Sequence, residues 1–267
     1  MNDASAQVVS LLARENDPAR IVAGITAVLE SWRDVEYAKG SAIFVPGAPN
    51  TMGVRVPVLK VIGRVLSKSV MANPELGLEL ARLLWRKNTR EHKLLAGMVL
   101  ESLAAKNPNL AQQLMFEWLS DLTDWEIVDS LVSCLSKLLC SKPEQALRWG
   151  REWLDSHQPW IRRLGMVITV PMSRDKNADL TALAAHLEHA RGETHPTQLK
   201  ALGWCWREIG KHDPVLVFER LQAWATSALR PNRRVAWSGS EKCTPEQRKI
   251  IRNLIDQTEG KLNNKDG

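Results

Sequence analysis

Leu122-Thr-Asp-Trp-Glu-Ile-Val-Asp129, continued by Ser130-Leu-Val-Ser-Cys-Leu-Ser-Lys-Leu-Leu139, decides the fold class. Thr123 followed three residues later by Glu126 reads as a capping box, so a helix starts here. At about 100° per residue, Ile127, Val128, Leu131, Leu135, Leu138 and Leu139 share one face, which must be the buried one. Trp125 and Asp129 stand off that face and are four apart, hence neighbours. An indole and a carboxylate therefore project together from the side that does not pack. The same pattern also fits a boundary indole covering its own helix beside a solvated carboxylate.

The helical reading extends in both directions. Leu78, Leu80, Ala81 and Leu84, then Leu94, Leu95, Met98 and Val99, repeat the three-and-four spacing of a helix face. Asp17-Pro18, Asn73-Pro74, Lys142-Pro143, Gln158-Pro159, His195-Pro196 and Asp213-Pro214 each place proline where it opens a helix at its first position. No stretch alternates with period two, and no Asn-Gly or Asp-Gly hairpin turn occurs. These marks predict roughly a dozen helices of about 10–16 residues. One long irregular stretch is expected at residues 39–53 (KGSAIFVPGAPNTMG). Helix pairs recurring every ~35–45 residues predict an α-solenoid of HEAT or armadillo type. The fold expected is thus all-α, a single curved domain over residues 1–258, with a polar tail at 259–267. A compact irregular helical bundle is the competing architecture.

Composition limits the function classes. Apolar residues make up 44% and charged residues 25%, which excludes disordered and fibrous architectures. No run approaches the ~18 apolar residues of a membrane span, and no signal peptide is readable in the first thirty residues or so. A cytoplasmic protein without a membrane partner is the expectation. The balance of 36 Lys+Arg against 30 Asp+Glu, +6 overall, suits a polyanionic partner. Cys134, Cys140, Cys205 and Cys243 form no CxxC pair and the histidines no HExxH, so no metal site, disulfide framework or cofactor is expected. Aromatic usage is skewed: 11 Trp stand against 3 Phe and 1 Tyr. Some of those rings fit a surface that needs flat amphipathic side chains.

Three further segments carry candidate chemistry. In Pro159-Trp-Ile-Arg-Arg-Leu-Gly-Met-Val167, Ile161, Leu164, Gly165 and Ile168 form the packed stripe, leaving Arg162 and Arg163 off it. Adjacent arginines opening a helix hold phosphates bidentately; solvated or ion-paired arginines fit the pattern as well. In Gly203-Trp-Cys-Trp-Arg-Glu-Ile-Gly210, Trp204 and Trp206 lie on different faces, one of them for the core. Arg230, Arg233 and Arg234 beside Trp237 read either as phosphate contacts or as a solvated surface.

Taken in order, these segments resemble the DNA alkylation repair family of HEAT-like-repeat alkylpurine DNA glycosylases. Glu36-Tyr-Ala-Lys39, Gly53-Val-Arg-Val-Pro-Val-Leu-Lys60, Glu91-His-Lys-Leu-Leu-Ala-Gly-Met-Val-Leu-Glu101, Asp124-Trp-Glu-Ile-Val-Asp129, Trp160-Ile-Arg-Arg-Leu164 and Gly203-Trp-Cys-Trp-Arg-Glu-Ile209 carry the likeness. It spans about residues 30–240. The resemblance implies a catalytic carboxylate at Asp129, lesion-contacting indoles at Trp125 and Trp204, and a phosphate-holding arginine at Arg163 rather than Arg162. Tyr37 would line the cleft, although the Ser41–Met52 loop is longer here than in the family. The implied partner is duplex DNA with alkylated bases, bound by a monomer. The competing functional reading is a helical-repeat scaffold that binds nucleic acid or protein without catalysis.

Overall fold

Proline or a capping side chain opens most helices of the described residues. The computed structural model describes residues 2–48 and 50–263, which are all-α with no strand among them. All six Xaa-Pro pairs singled out above open a helix. Asp17, Asn73, His195 and Asp213 each add a side chain that accepts a first-turn N–H, which satisfies donors the helix itself cannot.

The chain forms two compact units, one ending at Leu138 and the other starting at Leu139. The first contains α1 (Asn2–Arg14), α2 (Pro18–Ser31), α3 (Val35–Phe44), α4 (Val56–Ala72), α5 (Pro74–Arg86), α6 (Arg90–Lys106), α7 (Pro108–Glu117) and α8 (Trp125–Cys134). Helices α1, α4, α6 and α8 pack in succession, with α2 and α5 packed on one another beside them. The boundary falls inside the short α9 (Ser136–Ser141). The second unit contains α10 (Pro143–Leu154), α11 (Pro159–Val167), α12 (Thr169–Ser173), α13 (Leu180–Glu188), α14 (Pro196–Gly210), α15 (Pro214–Ala225), α16 (Arg230–Gly239) and α17 (Pro245–Asn263). Here α11, α14 and α16 make one row and α10, α13, α15 and α17 the other.

Within each unit several side-chain hydrogen bonds join helices at similar offsets along the chain. Arg82 bonds Glu117 35 residues on, Trp85 bonds Asp121 36 on, and Arg90 bonds Glu126 36 on. In the second unit Arg174 bonds Glu208 at an offset of 34, and Trp224 bonds Glu188 at 36. Offsets of 34–36 residues fit stacked helix pairs. Helices α10 and α11 approach closely enough that a Cβ at Gly165 would stand 2.7 Å from the Gly150 carbonyl oxygen.

The tryptophans divide by role. Trp85, Trp118, Trp149, Trp153, Trp206 and Trp224 are buried. Trp85 and Trp118 stack at 4.2 Å, and Trp206 meets Trp224 edge-on at 6.0 Å. Trp32, Trp125, Trp160 and Trp204 are half-buried, and Trp237 is exposed. Of the Trp204–Trp206 pair, Trp206 is the core ring.

Three local expectations are corrected. Asp124, not Thr123, is the N-cap of α8: its carboxylate accepts the Ile127 N–H at 3.0 Å, and Thr123 donates its hydroxyl to it at 3.1 Å. The irregular stretch is shorter than 39–53, because α3 persists through Gly40 to Phe44. It ends there since Pro46 excludes Val45 from helical geometry, and Val45 has φ −122°, ψ 73°. At the other end α17 runs on to Asn263, into the stretch expected to be a polar tail, and Glu259 takes Arg233 in an ion pair at 3.2 Å. No helix of the described residues is long and apolar enough to cross a membrane.

Candidate active site and nucleic-acid contacts

In the first unit, α8 sets Trp125 and Asp129 one turn apart, both half-buried. The Trp125 Nε1–H donates to the Phe44 carbonyl at 3.0 Å, so the end of α3 fixes the indole's orientation. Glu126 between them turns the other way. It receives Arg90 in a two-pronged bond, Nε and Nη2 each 2.6 Å from a carboxylate oxygen. Arg90 is only 3% exposed. Burial alone would lower its pKa, but Glu126 and the nearby Glu91 raise it above the ordinary arginine value. The N-cap Asp124 is fully buried, and burial pushes its carboxyl up despite the Ile127 N–H and Thr123 hydroxyl.

Glu91, wholly buried, organises the segment leading into α4. Its carboxylate accepts the Thr51 hydroxyl at 2.9 Å and the N–H groups of Met52, Gly53 and Val54 at 2.9, 2.9 and 3.2 Å. Gly53 has φ +81°, and a Cβ there would run into the Asp34 carbonyl, so only glycine fits. That close approach places Asp34 beside Arg55. Asp34 caps α3 through the Tyr37 N–H at 2.9 Å and accepts Arg55 at 3.1 Å; both hold its carboxyl below the usual range. Tyr37 is half-buried, with the Arg55 guanidinium 5.2 Å from its ring centre. Tyr37 and Trp125 are therefore tied into one network through α3, the 50–55 segment, α6 and α8, and Asp129 stands on α8 one turn from Trp125.

In the second unit the two adjacent arginines separate sharply. Arg162 gives Nε to Glu193 at 2.8 Å and Nη1 to the carbonyls of Ser156 and His157 at 3.0 and 3.1 Å. Burial pushes the Glu193 carboxyl up, but Arg162 and the His195 and Thr194 N–H groups outweigh it and hold it low. Arg162 thus braces the turn before α11 against the turn before α14. Arg163, expected off the packed stripe, is instead 5% exposed, with Nη1 on the Thr197 carbonyl at 2.9 Å in the first turn of α14. That is the helix that carries Trp204.

Trp204 is half-buried and donates Nε1–H to Glu208, one turn on, at 3.0 Å. Glu208 also accepts Lys211 at 2.6 Å and Arg174 at 3.0 Å; burial pushes its carboxyl up, and these donors bring it below the ordinary value. The ring is thereby fixed at its N–H edge.

The third cluster splits as well. Arg230 and Arg234 are exposed. Arg233 is not a surface cation: it is 6% exposed and gives Nη1 to the carbonyls of Ser227 and Ala228, both at 2.8 Å. Arg233 closes the turn before α16, as Arg162 closes the one before α11. The helix-wheel reading missed Arg90 and Glu91, whose partners lie on other segments, and Asp124, which caps its own helix in place of Thr123. For Arg90 the signal was a charged residue 36 before Glu126, within one residue of the 35 that separates Arg82 from Glu117.

A family model described as DNA alkylation repair enzyme matches residues 25–238. No match was found among curated proteins. The matched stretch contains every candidate residue of both units.

Proposed function

The chain belongs to the family of DNA alkylation repair enzymes, and from that premise we propose that it is a glycosylase of alkylated duplex DNA. Its reaction is hydrolysis of the N-glycosidic bond of purines alkylated at N3 or N7. The observation that carries this reading is the placement of Asp129 one helical turn from Trp125, with Trp125 anchored on the Phe44 carbonyl.

A purine alkylated at N3 or N7 is cationic. When its C1′–N bond breaks, the bonding pair leaves with the base and neutralises it, so no general acid is needed. Positive charge builds on the deoxyribose instead. A carboxylate beside C1′ stabilises that oxocarbenium-like state and orients the water that adds to C1′, taking up its proton. Asp129 is assigned that role. The Trp125 ring packs on the sugar and attracts the cationic lesion, worth ~0.5–2 kcal/mol. Because its N–H is occupied by Phe44, the ring acts through its π faces.

In the second unit, Arg163 is assigned to the phosphate backbone and Trp204 to the lesion strand, both presented by helices joined through the Arg163–Thr197 bond. Arg162 has an internal role in the turns it braces. Most glycosylases extrude the base into a pocket; this reading has the protein act on the nucleotide from its backbone side. Tyr37 lines the approach to α8.

The test is single-turnover release of 7-methylguanine from a duplex by the wild type and by Asp129→Asn. Loss of a well-placed electrostatic stabiliser lowers a rate by ~10²–10³, so the variant should bind duplex and release base slowly. A wild type that binds DNA and releases nothing would favour the non-catalytic scaffold.

A further inference from the structure

Helix α16 exposes Arg230, Arg234 and Trp237 at positions i, i+4 and i+7, which line one face. Trp237 is 38% exposed. Its ring is clasped by two cations from α17: the Arg248 guanidinium lies 4.3 Å from the ring centre and that of Arg252 5.6 Å. Among the described residues, Arg230, Arg234 and Arg248 have no carboxylate within ion-pair distance, while Arg252 pairs with Asp256 at 3.2 Å. Glu241, whose charge also reaches Arg248, is already shared by Arg207 at 3.5 Å and Lys242 at 3.0 Å. The corner therefore keeps a cationic surplus built around a fixed indole.

Its position in the unit gives the surplus a direction. Arg207 of α14 donates Nη1 to the Ser238 carbonyl at 3.2 Å, and a Cβ at Gly203 would meet the Ser238 hydroxyl at 2.4 Å, so α14 and α16 are in close contact. The corner is thus one helix along from Trp204. Neighbouring helix axes stand about 8–10 Å apart, which is about two to three nucleotides at a rise of about 3.4 Å along one strand. The two clasping arginines lie beyond residue 238, where the family match ends.

We propose that Arg234, Trp237, Arg248 and Arg252 form an additional, lesion-independent anchor for the backbone of duplex DNA, a few nucleotides from the strand contact assigned to Trp204. Arginine forks hold phosphate oxygens bidentately. The indole holds Arg248 and Arg252 side by side, which leaves less side-chain freedom to be lost on binding. The partner is DNA because the family acts on it; the placement beside Trp204 rests on the function proposed above.

The experiment measures the salt dependence of binding to an undamaged duplex, for wild type and for Arg234→Gln/Arg248→Gln/Arg252→Gln, with thermal melting as the folding control. Base release by the wild type is recorded in parallel. Each phosphate that a variant no longer neutralises should flatten the slope of log K against log salt by ~0.9, so the triple variant should flatten it by about two to three. If the triple variant melts early, Arg234→Glu alone, on an exposed side chain, should still weaken binding and flatten the slope. Slopes equal to wild type in a folded variant would overturn the anchor, whatever the base-release result. A flattened slope with no base release by the wild type would uphold the anchor and reject the glycosylase.

Discussion

Arg90 of α6 and Glu126 of α8 form a forked ion pair with both N···O distances at 2.6 Å, and this pair holds the helix turn from which Trp125 and Asp129 project. Arg90 is almost wholly buried, so removing Glu126 leaves a guanidinium without its main counter-charge. Breaking one partner of such a pair costs about 3–5 kcal/mol. Arg90→Ala and Glu126→Gln should both lower the urea midpoint markedly. Arg90→Met/Glu126→Leu should recover part of the loss, because both charges are then gone. Arg90→Ala within about 0.5 kcal/mol of wild type, the range of ordinary surface substitutions, would show that the pair is not what holds α8.

The helix starts were legible because proline acts locally: it lacks an N–H and has φ preset, so Pro18, Pro74 and Pro196 announce a first turn without tertiary help. Trp125 and Asp129 were legible for the same reason, since their relation is internal to one helix. Arg163 and Arg233 were not. A helical wheel places a side chain relative to its own axis, whereas these long arginines reach backbone carbonyls outside their own helices, Thr197 and Ser227–Ala228. Buried carbonyls need donors, and arginine supplies several in one plane. The Thr123 cap failed more narrowly. Two capping residue types stood side by side, and Glu126, which a capping box needs, is held by Arg90 instead.

Two buried histidines set the acid limit of stability. His92 lies between the hydroxyls of Thr26 and Thr89 at 2.9 and 2.6 Å, and His186 bonds the Gly165 carbonyl at 2.8 Å. Burial, with Lys87 for His92 and with Arg151 and His189 for His186, lowers both to about 4. The unfolded chain takes up these protons near pH 6.5, and the folded chain only near pH 4. Stability is therefore complete above about pH 6.5 and falls as pH drops towards 4, by roughly 3 kcal/mol per histidine at full extent. Urea unfolding at pH 7.5, 6.0 and 5.0 should show the decline, and His186→Gln should make it shallower. A pH-independent midpoint across that window would contradict the assignment.

Arg162 and Arg163 should separate in assay as they do in structure. Arg162→Ala removes the Glu193 pair and the bonds to the Ser156 and His157 carbonyls, destabilising the fold by on the order of 1–3 kcal/mol. Duplex affinity should hardly change once the variant is folded. Arg163→Lys keeps the charge and loses the fork, so duplex binding should weaken and the salt slope should change little. Equal losses of affinity for the two variants would mean that Arg163 has no role of its own towards DNA.

Substrate range distinguishes charge stabilisation on the sugar from a mechanism that protonates the base. If Asp129 acts only on the developing oxocarbenium ion, bonds that are already labile are the ones broken. Cationic 7-methylguanine and 3-methyladenine meet that condition. Hypoxanthine and uracil would leave as anions and need a proton donor at the base. On α8 the neighbouring acids are committed elsewhere: Glu126 to Arg90, and Asp124 to the cap of its own helix. Asp124 is held towards its neutral form by burial, but its carboxyl is turned onto the Ile127 N–H. Single-turnover assays on duplexes carrying 7-methylguanine, hypoxanthine or uracil should show release of the first alone. Asp129→Asn should slow that release ~10²–10³-fold while duplex affinity is kept. Efficient excision of uracil, or a fully active Asp129→Asn variant, would require a different source of catalysis from the carboxylate on α8.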